Sequence, residues 1–200
     1  QAEGTGKTLV YVSQNDQLMA IFFIEDRVKP ETKTLISQLK DMGVTPILLT
    51  GDQEKTARYV ASQVGIERVI ANCLPTDKAS IIQELQKEFA SVGMVGDGIN
   101  DAPALAQANV SYAMGSGTDI AMESADIVLM EDLTRIPYSI RLSKKMRGII
   151  KQNIIFALSV IAVLIISNLF QSINLPLGVV GHEGSTILVI LNGLRLLYFK

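Results

Sequence analysis

Along the first three quarters of the chain, short apolar runs alternate with amphipathic stretches. Leu9 to Val12 and Met19 to Ile24 are apolar runs of strand length, the second closing on Glu25 and Asp26. Pro30 stands where a helix starts, Leu35, Ile36, Leu39 and Met42 follow at helical spacing, and Gly43 stops the pattern. PILLTGD, residues 46–52, reads as a buried strand running into a polar turn. Thr76 or Asp77 can cap a helix carrying Ile81, Ile82, Leu85 and Phe89, after which VGMV at 92–95 is again a strand. Short runs at Val110 to Ala113 and Ile127 to Met130 continue the series. The alternation predicts an α/β domain, a parallel sheet wrapped by helices, with ligands at the carboxyl ends of the strands.

A different pattern takes over beyond residue 151. Residues 152–170 read QNIIFALSVIAVLIISNLF, and residues 175–199 read LPLGVVGHEGSTILVILNGLRLLYF. A hydrocarbon core of about 30 Å needs about 20 mostly apolar helical residues, the size of each stretch. The pattern predicts a two-helix transmembrane hairpin with spans at about 152–172 and 177–199, and hence two domains, 1–140 and 141–200. Lys144, Lys145, Arg147 and Lys151 precede the first span, and Arg195 and Lys200 end the second, which places both ends in the cytoplasm. The uncharged SINLPLG between them is the outer turn. A pair of buried core helices is the bland alternative.

Composition narrows the classes. With 48% hydrophobic residues the chain can bury a core, and its net charge of -2 offers no basic field for nucleic acid. Cys73 is the single cysteine, so no internal disulfide framework exists and an ordinary thiol is expected. Met114, Met122 and Met130 occupy packing positions. The opening QAEGTGKT lacks both an initiator methionine and an apolar leader, so the chain is expected to be the C-terminal part of something longer. GTGKT is not a nucleotide loop, because that motif needs glycine five positions before Gly6, where Gln1 stands.

The candidate chemistry lies at the predicted strand ends. Thr50, Gly51 and Asp52 follow one strand, Lys78 heads a helix, and GDGINDAPAL at 96–105 follows another strand. Each alone has a structural reading: a turn, a solvated charge, a helix cap from Asn100 or Asp101. Together they supply a hydroxyl and amide, a cation, and the carboxylates of Asp97 and Asp101. Those are the hard oxygen ligands and donors that a phosphoryl group with Mg²⁺ requires. Gly96 and Gly98 would allow close backbone approach.

TGD, the P-x-x-K of Pro75 to Lys78, and GDGINDAPAL resemble the phosphorylation domain of P-type ATPases, a haloacid-dehalogenase-like phosphoryl-transfer fold. The resemblance implies ATP and Mg²⁺ as cofactors. It makes Asp97 the Mg²⁺ ligand with Asp101 beside it, and sets Gly96, Gly98 and Asn100 in the same loop. Thr50 and Gly51 would bind the phosphate and Lys78 would neutralise it, with Asp52 counted beside them as catalytic. Asp26, in EDRVKPE, would help to position nucleotide and hinge. The family nucleophile lies in a DKTGT motif that this sequence lacks, and Asp77-Lys78-Ala79 is no substitute. The chain alone is therefore expected to be inactive, its partner being the missing N-terminal part of the same pump.

Two helices after this domain, and HEGST at 182–186, resemble the heavy-metal subgroup that carries cobalt, zinc, iron or nickel, with Ser185 where the motif usually has glycine. Ionisable groups at depth in a bilayer cost roughly 2.5 to 3.5 kcal/mol each, which argues that His182 and Glu183 have work there. With Thr186 they are the expected ligands of a transported divalent transition-metal ion. The reading is an ATP-driven, multi-pass cation transporter, of the plasma membrane, with its soluble domain in the cytoplasm. The alternatives are a haloacid-dehalogenase-like phosphatase and a membrane-anchored Mg²⁺-binding regulator.

Overall fold

A computed structural model describes residues 8–24, 28–130, 132–170 and 175–199. They fall into two compact units, 1–137 and 138–200.

The first unit opens with β1 (Thr8–Gln14) and β2 (Gln17–Ile24), an antiparallel pair. Asn15 and Asp16, with φ of 50° and 58°, make the turn, because these two residue types tolerate the left-handed region. The two runs that the alternation assigned to the sheet thus form a hairpin of their own, and the two-residue turn is the reason. Its side chains include Tyr11, Met19 and Phe22, all exposed.

The α/β part follows as α1 (Pro30–Asp41), β3 (Ile47–Leu49), α2 (Glu54–Val64), β4 (Arg68–Ile70), α3 (Asp77–Glu88), β5 (Gly93–Gly96), α4 (Ala102–Gln107), β6 (Val110–Met114), α5 (Asp119–Glu123) and β7 (Ile127–Leu129). Pro30 opens α1 as expected, and Gly43 (φ +79°) and Gly65 (φ +81°) turn the chain after α1 and α2 in conformations that a side chain resists. β3 pairs with β4, and β5 with β6 and β7, all parallel. Both ladders share one core. Ile82, Leu85, Met94, Leu105 and the alanines 104, 113 and 121 form it, and Ile47, Leu49 and Ile70 pack against it. The alanines are fully buried, letting helix and strand backbones approach.

Buried Ser111 ties β6 to the chain entering β7. Its amide and its hydroxyl each donate to Asp126 Oδ2 at 2.9 Å, and the Asp126 amide donates back to Ser111 Oγ at 3.0 Å. These bonds hold the Asp126 carboxyl below its ordinary value, the backbone bond contributing most.

In the second unit lie most of α6 (Arg135–Leu169), then α7 (Leu175–Leu194) and a 3-10 turn at Arg195–Tyr198. Among the described residues α6 alone is long and apolar enough to cross a membrane, with mean hydropathy 2.3 over its most apolar window and 6% of that window buried. Residues 152–169 of the first forecast span fall within α6, and its last two residues, 171 and 172, lie outside the described residues. In α7 the apolar run is interrupted by His182, Glu183 and Asn192. The helices lie antiparallel: Asn153 meets Asn192, while a Cβ on Gly181 would stand 3.5 Å from Leu164 Cδ2. Residues 172–174 of the forecast outer turn lie outside the described residues, as does Asp26.

Candidate functional site

The chain leaves β3 at Thr50, whose hydroxyl donates to Asp52 Oδ2 (3.0 Å) and accepts from the Asp52 amide (3.1 Å). Thr50 N–H donates to Ile70 O, Cys73 N–H to Thr50 O, and Asn72 N–H to Asp52 O, at 2.9 to 3.1 Å. The loop after β3 is thereby stitched to the loop after β4. A Cβ on Gly51 would lie 3.2 Å from Cys73 O, so a side chain there would push the two loops apart. Thr50 and Asp52 form the self-satisfied turn that local sequence allows, and they present it at the carboxyl end of β3.

β5 ends at Gly96, where a Cβ would stand 2.7 Å from Asp101 Cβ. Only glycine seats Asp101 there. Gly98 is different, with φ −119° and nothing nearer than 3.9 Å, so the steric demand falls on the first glycine of the motif alone. Asp101 sits at the N-cap of α4 yet makes no side-chain cap bond. Its Oδ1 accepts instead from Lys78 Nζ at 2.6 Å, with side chains only 13% and 15% exposed. That pairing replaces two bland expectations, Asp101 as a cap and Lys78 as a solvated charge. Burial pushes the Cys73 thiol up from its ordinary value, while a backbone hydrogen bond with Thr50 and the Lys78 charge pull it back. The Lys78 field therefore reaches the stitched loops as well as the acidic one.

Asp97 is exposed and Asn100 likewise. What fixes Asp97 is backbone: Thr118 N–H donates to Asp97 O at 2.9 Å, and a Cβ on Gly117 would come within 2.4 Å of that oxygen. Gly117 and Thr118 were not read as site residues, although GSGTD carries a turn signal and an N-cap, and Thr118 does cap α5. Among the described residues no cluster of three or more His, Cys, Asp or Glu forms a closed metal cage. The donors present, the exposed Asp97 carboxylate with Asp101 on the same loop, would suit Mg²⁺, which takes one or two carboxylates and completes its octahedron with water and phosphate oxygens.

On α7, His182, Ser185, Thr186 and Val189 line a groove of about 180 Å³ facing Ala157, Val160, Ile161 and Leu164 of α6. Ser185 Oγ and Thr186 Oγ1 both donate to His182 O, at 2.6 and 3.3 Å, which leaves their oxygen lone pairs to accept. Glu183, about 100° further round the helix, is not among the lining residues. His182 and Thr186 thus share a face that Glu183 does not.

Parallel strands carrying a Gly-Asp-Gly loop and a lysine-paired aspartate at their carboxyl ends define an α/β phosphoryl-transfer class of protein. The chain belongs to the haloacid dehalogenase-like hydrolase family, whose model matches residues 1–109. Over 194 residues it is 52% identical to the zinc-transporting ATPase of Bacillus subtilis (strain 168), covering 96% of this chain and 30% of that protein. It is 43% identical to copper-transporting ATPase 1 of Mus musculus, over 99% of this chain and 14% of the relative. A crystal structure of a zinc-transporting PIB-type ATPase in its E2.Pi state matches with TM-score 0.88 and 38% identity, over 98% of this chain and 32% of that one. Its homologues are metal-transporting P-type ATPases, and the chain spans about 30% of the length of the bacterial zinc-transporting relative.

Proposed function

We propose that this chain is the part of an ATP-driven divalent-cation pump that holds the Mg²⁺ and phosphate site and one wall of the membrane metal site. Residues 1–140 are the C-terminal part of its phosphorylation domain, and 141–200 a transmembrane hairpin whose ends lie in the cytoplasm, in the plasma membrane. The observation that carries the reading is the 2.6 Å Lys78–Asp101 pair, set at strand ends in a chain 52% identical to a zinc-transporting ATPase.

Asp97, exposed and anchored by its carbonyl, is the Mg²⁺ ligand, with Asp101 next to it. When bound, Mg²⁺ and ATP supply the electrophilic phosphorus and the charge neutralisation that transfer requires. Gly51 offers its amide to the phosphate oxygens from a loop braced on Cys73. Lys78 holds Asp101 in its seat and places a cation beside the incoming phosphate. The nucleophilic aspartate comes from another part of the longer pump. In the membrane, an imidazole with hydroxyl oxygens suits borderline divalent ions of the zinc and cobalt kind; His182 and Thr186 are the donors on the groove face, and Glu183 offers a carboxylate from about 100° further round the helix.

Lys78→Ala in the full-length pump tests the soluble half. Phosphorylation by ATP is expected to slow by about 100-fold, the scale of losing one transition-state charge partner, with the protein still folded by circular dichroism. A variant that phosphorylates at the normal rate returns Lys78 to a structural role.

A further inference from the structure

Near the charged end of α7 a chain of hydrogen bonds crosses between the two helices. Arg195 Nη1 donates to Asn192 Oδ1 at 2.9 Å, Asn192 Nδ2 to Asn153 Oδ1 at 2.8 Å, and Asn153 Nδ2 to the Val189 carbonyl at 3.3 Å. Asn192 Nδ2 also reaches Gln152 Oε1 at 3.4 Å. Each amide accepts through oxygen and donates through nitrogen. A guanidinium, which only donates, starts the chain, and a carbonyl, which only accepts, ends it. Both amides are thus held in one orientation.

The position of this chain gives it a consequence. Val189, its terminal acceptor, also lines the groove with His182, Ser185 and Thr186. Asn153 stands one helical turn before Ala157, the first groove residue of α6. A second groove of about 370 Å³ is bordered mainly by apolar or small residues, Phe156, Val160, Val163, Leu164 and Gly181, and its one hydroxyl, on Ser159, donates to Ile155 O within α6. Apolar contacts in lipid discriminate between registers only through close packing, as of Leu164 on Gly181, because lipid tails compete as equally apolar partners. Donor and acceptor pairs discriminate as well.

We propose that Asn153 and Asn192 are positioning residues that fix the axial register of α7 against α6 and so hold the His182–Thr186 face over the groove. Their effect on transport rests on the reading of His182 as a metal ligand, whereas their effect on register does not. The test runs in the full-length pump with two introduced cysteine pairs, Leu164→Cys with Gly181→Cys, and Val160→Cys with Gly181→Cys, joined by a short thiol cross-linker. Cross-linking is expected to favour the first pair while the amides are present and to spread to the second in Asn153→Leu. Half-maximal Zn²⁺ or Co²⁺ activation of ATP hydrolysis is expected to rise about three- to tenfold in Asn153→Leu, with the double variant Asn153→Leu/Asn192→Leu no worse, since one chain is being broken. Phosphorylation by inorganic phosphate is expected to persist. A cross-linking pattern that ignores Asn153→Leu overturns the proposal, and so does additive loss in the double variant. If cross-linking shifts but His182→Ala retains metal-stimulated hydrolysis, the register role stands and the reading of His182 falls.

Discussion

The acidic rim of the first unit and the groove of the second hold functional polar groups by opposite means. At the rim the chemistry sits on loops, and the loops are fixed by backbone contacts that only glycine permits, as at Gly96 beneath Asp101 and Gly117 against Asp97. The groove has no loop to fix. Ser185 and Thr186 donate their hydroxyl hydrogen bonds to the His182 carbonyl, and the two asparagines are satisfied by one bond to each other, by Arg195 and by the Val189 carbonyl. On the proposed membrane placement of the second unit, the difference follows from solvent. Water can satisfy whatever a rim loop leaves open, whereas a helix against hydrocarbon must bring its own partners.

Asp97→Asn breaks the comparison on the rim side and has the largest expected effect. Removing one anionic ligand is expected to cut Mg²⁺-dependent phosphorylation of the full-length pump by about 100-fold or more, measured as radiolabel from ATP across a magnesium titration. Unchanged magnesium dependence would take Asp97 out of the site. The isolated 200-residue chain is expected to form no acid-stable phosphoenzyme at all.

On the groove side, His182→Ala is expected to abolish metal-stimulated ATP hydrolysis while phosphorylation by inorganic phosphate continues. Metal occupancy can bias the rim only by binding one conformation better than another. Glu183→Ala sharpens the contrast: loss of the same activity would mean that Glu183 donates from a second side of α7, and retained activity would confine the ligands to the groove face.

Smaller effects separate the two glycines of the motif. Gly96→Ala is expected to cost about 1–3 kcal/mol of stability through the Asp101 clash, and Gly98→Ala less than about 0.5 kcal/mol, both read by urea denaturation. Equal costs would show that the seat of Asp101 is not what Gly96 protects.

Smallest is the pH-dependent part of the effect of Ser111→Ala. Because the folded Asp126 carboxyl titrates below its ordinary value, the stability it contributes is complete above that value and is lost as pH falls through the folded one. Ser111→Ala keeps the backbone donor that contributes most and loses the hydroxyl, so the gap between wild type and variant is expected to be widest near neutrality and to narrow, without closing, on acidification. A gap independent of pH would mean that only the lost serine packing matters.

Much of the rim was legible because its residues cluster at ends of apolar runs: Thr50 to Asp52, Lys78, and Asp97 with Asp101. The pairing of Lys78 with Asp101 was not, since 23 residues separate them and only the fold brings them together. Gly117 and Thr118 act through the backbone of Asp97, and side-chain chemistry gives no sign of that. β4 begins on a charged residue, Arg68, after Glu67 and so shows less of an apolar run than the equally short β3 and β7, and α2 before it went unread. In α7 the adjacency of His182 and Glu183 suggested one cluster, but neighbours on a helix point about 100° apart.

The two hydroxyl bonds to the His182 carbonyl also have a mechanical side. Serine and threonine back-bonding competes with the ladder bond to the same oxygen and slightly bends the helix that carries it. In α7 that competition is doubled at one carbonyl, on the turn that bears the imidazole. Back-bonding therefore places a slight bend on the turn of α7 that bears His182, which changes the direction in which the imidazole is carried.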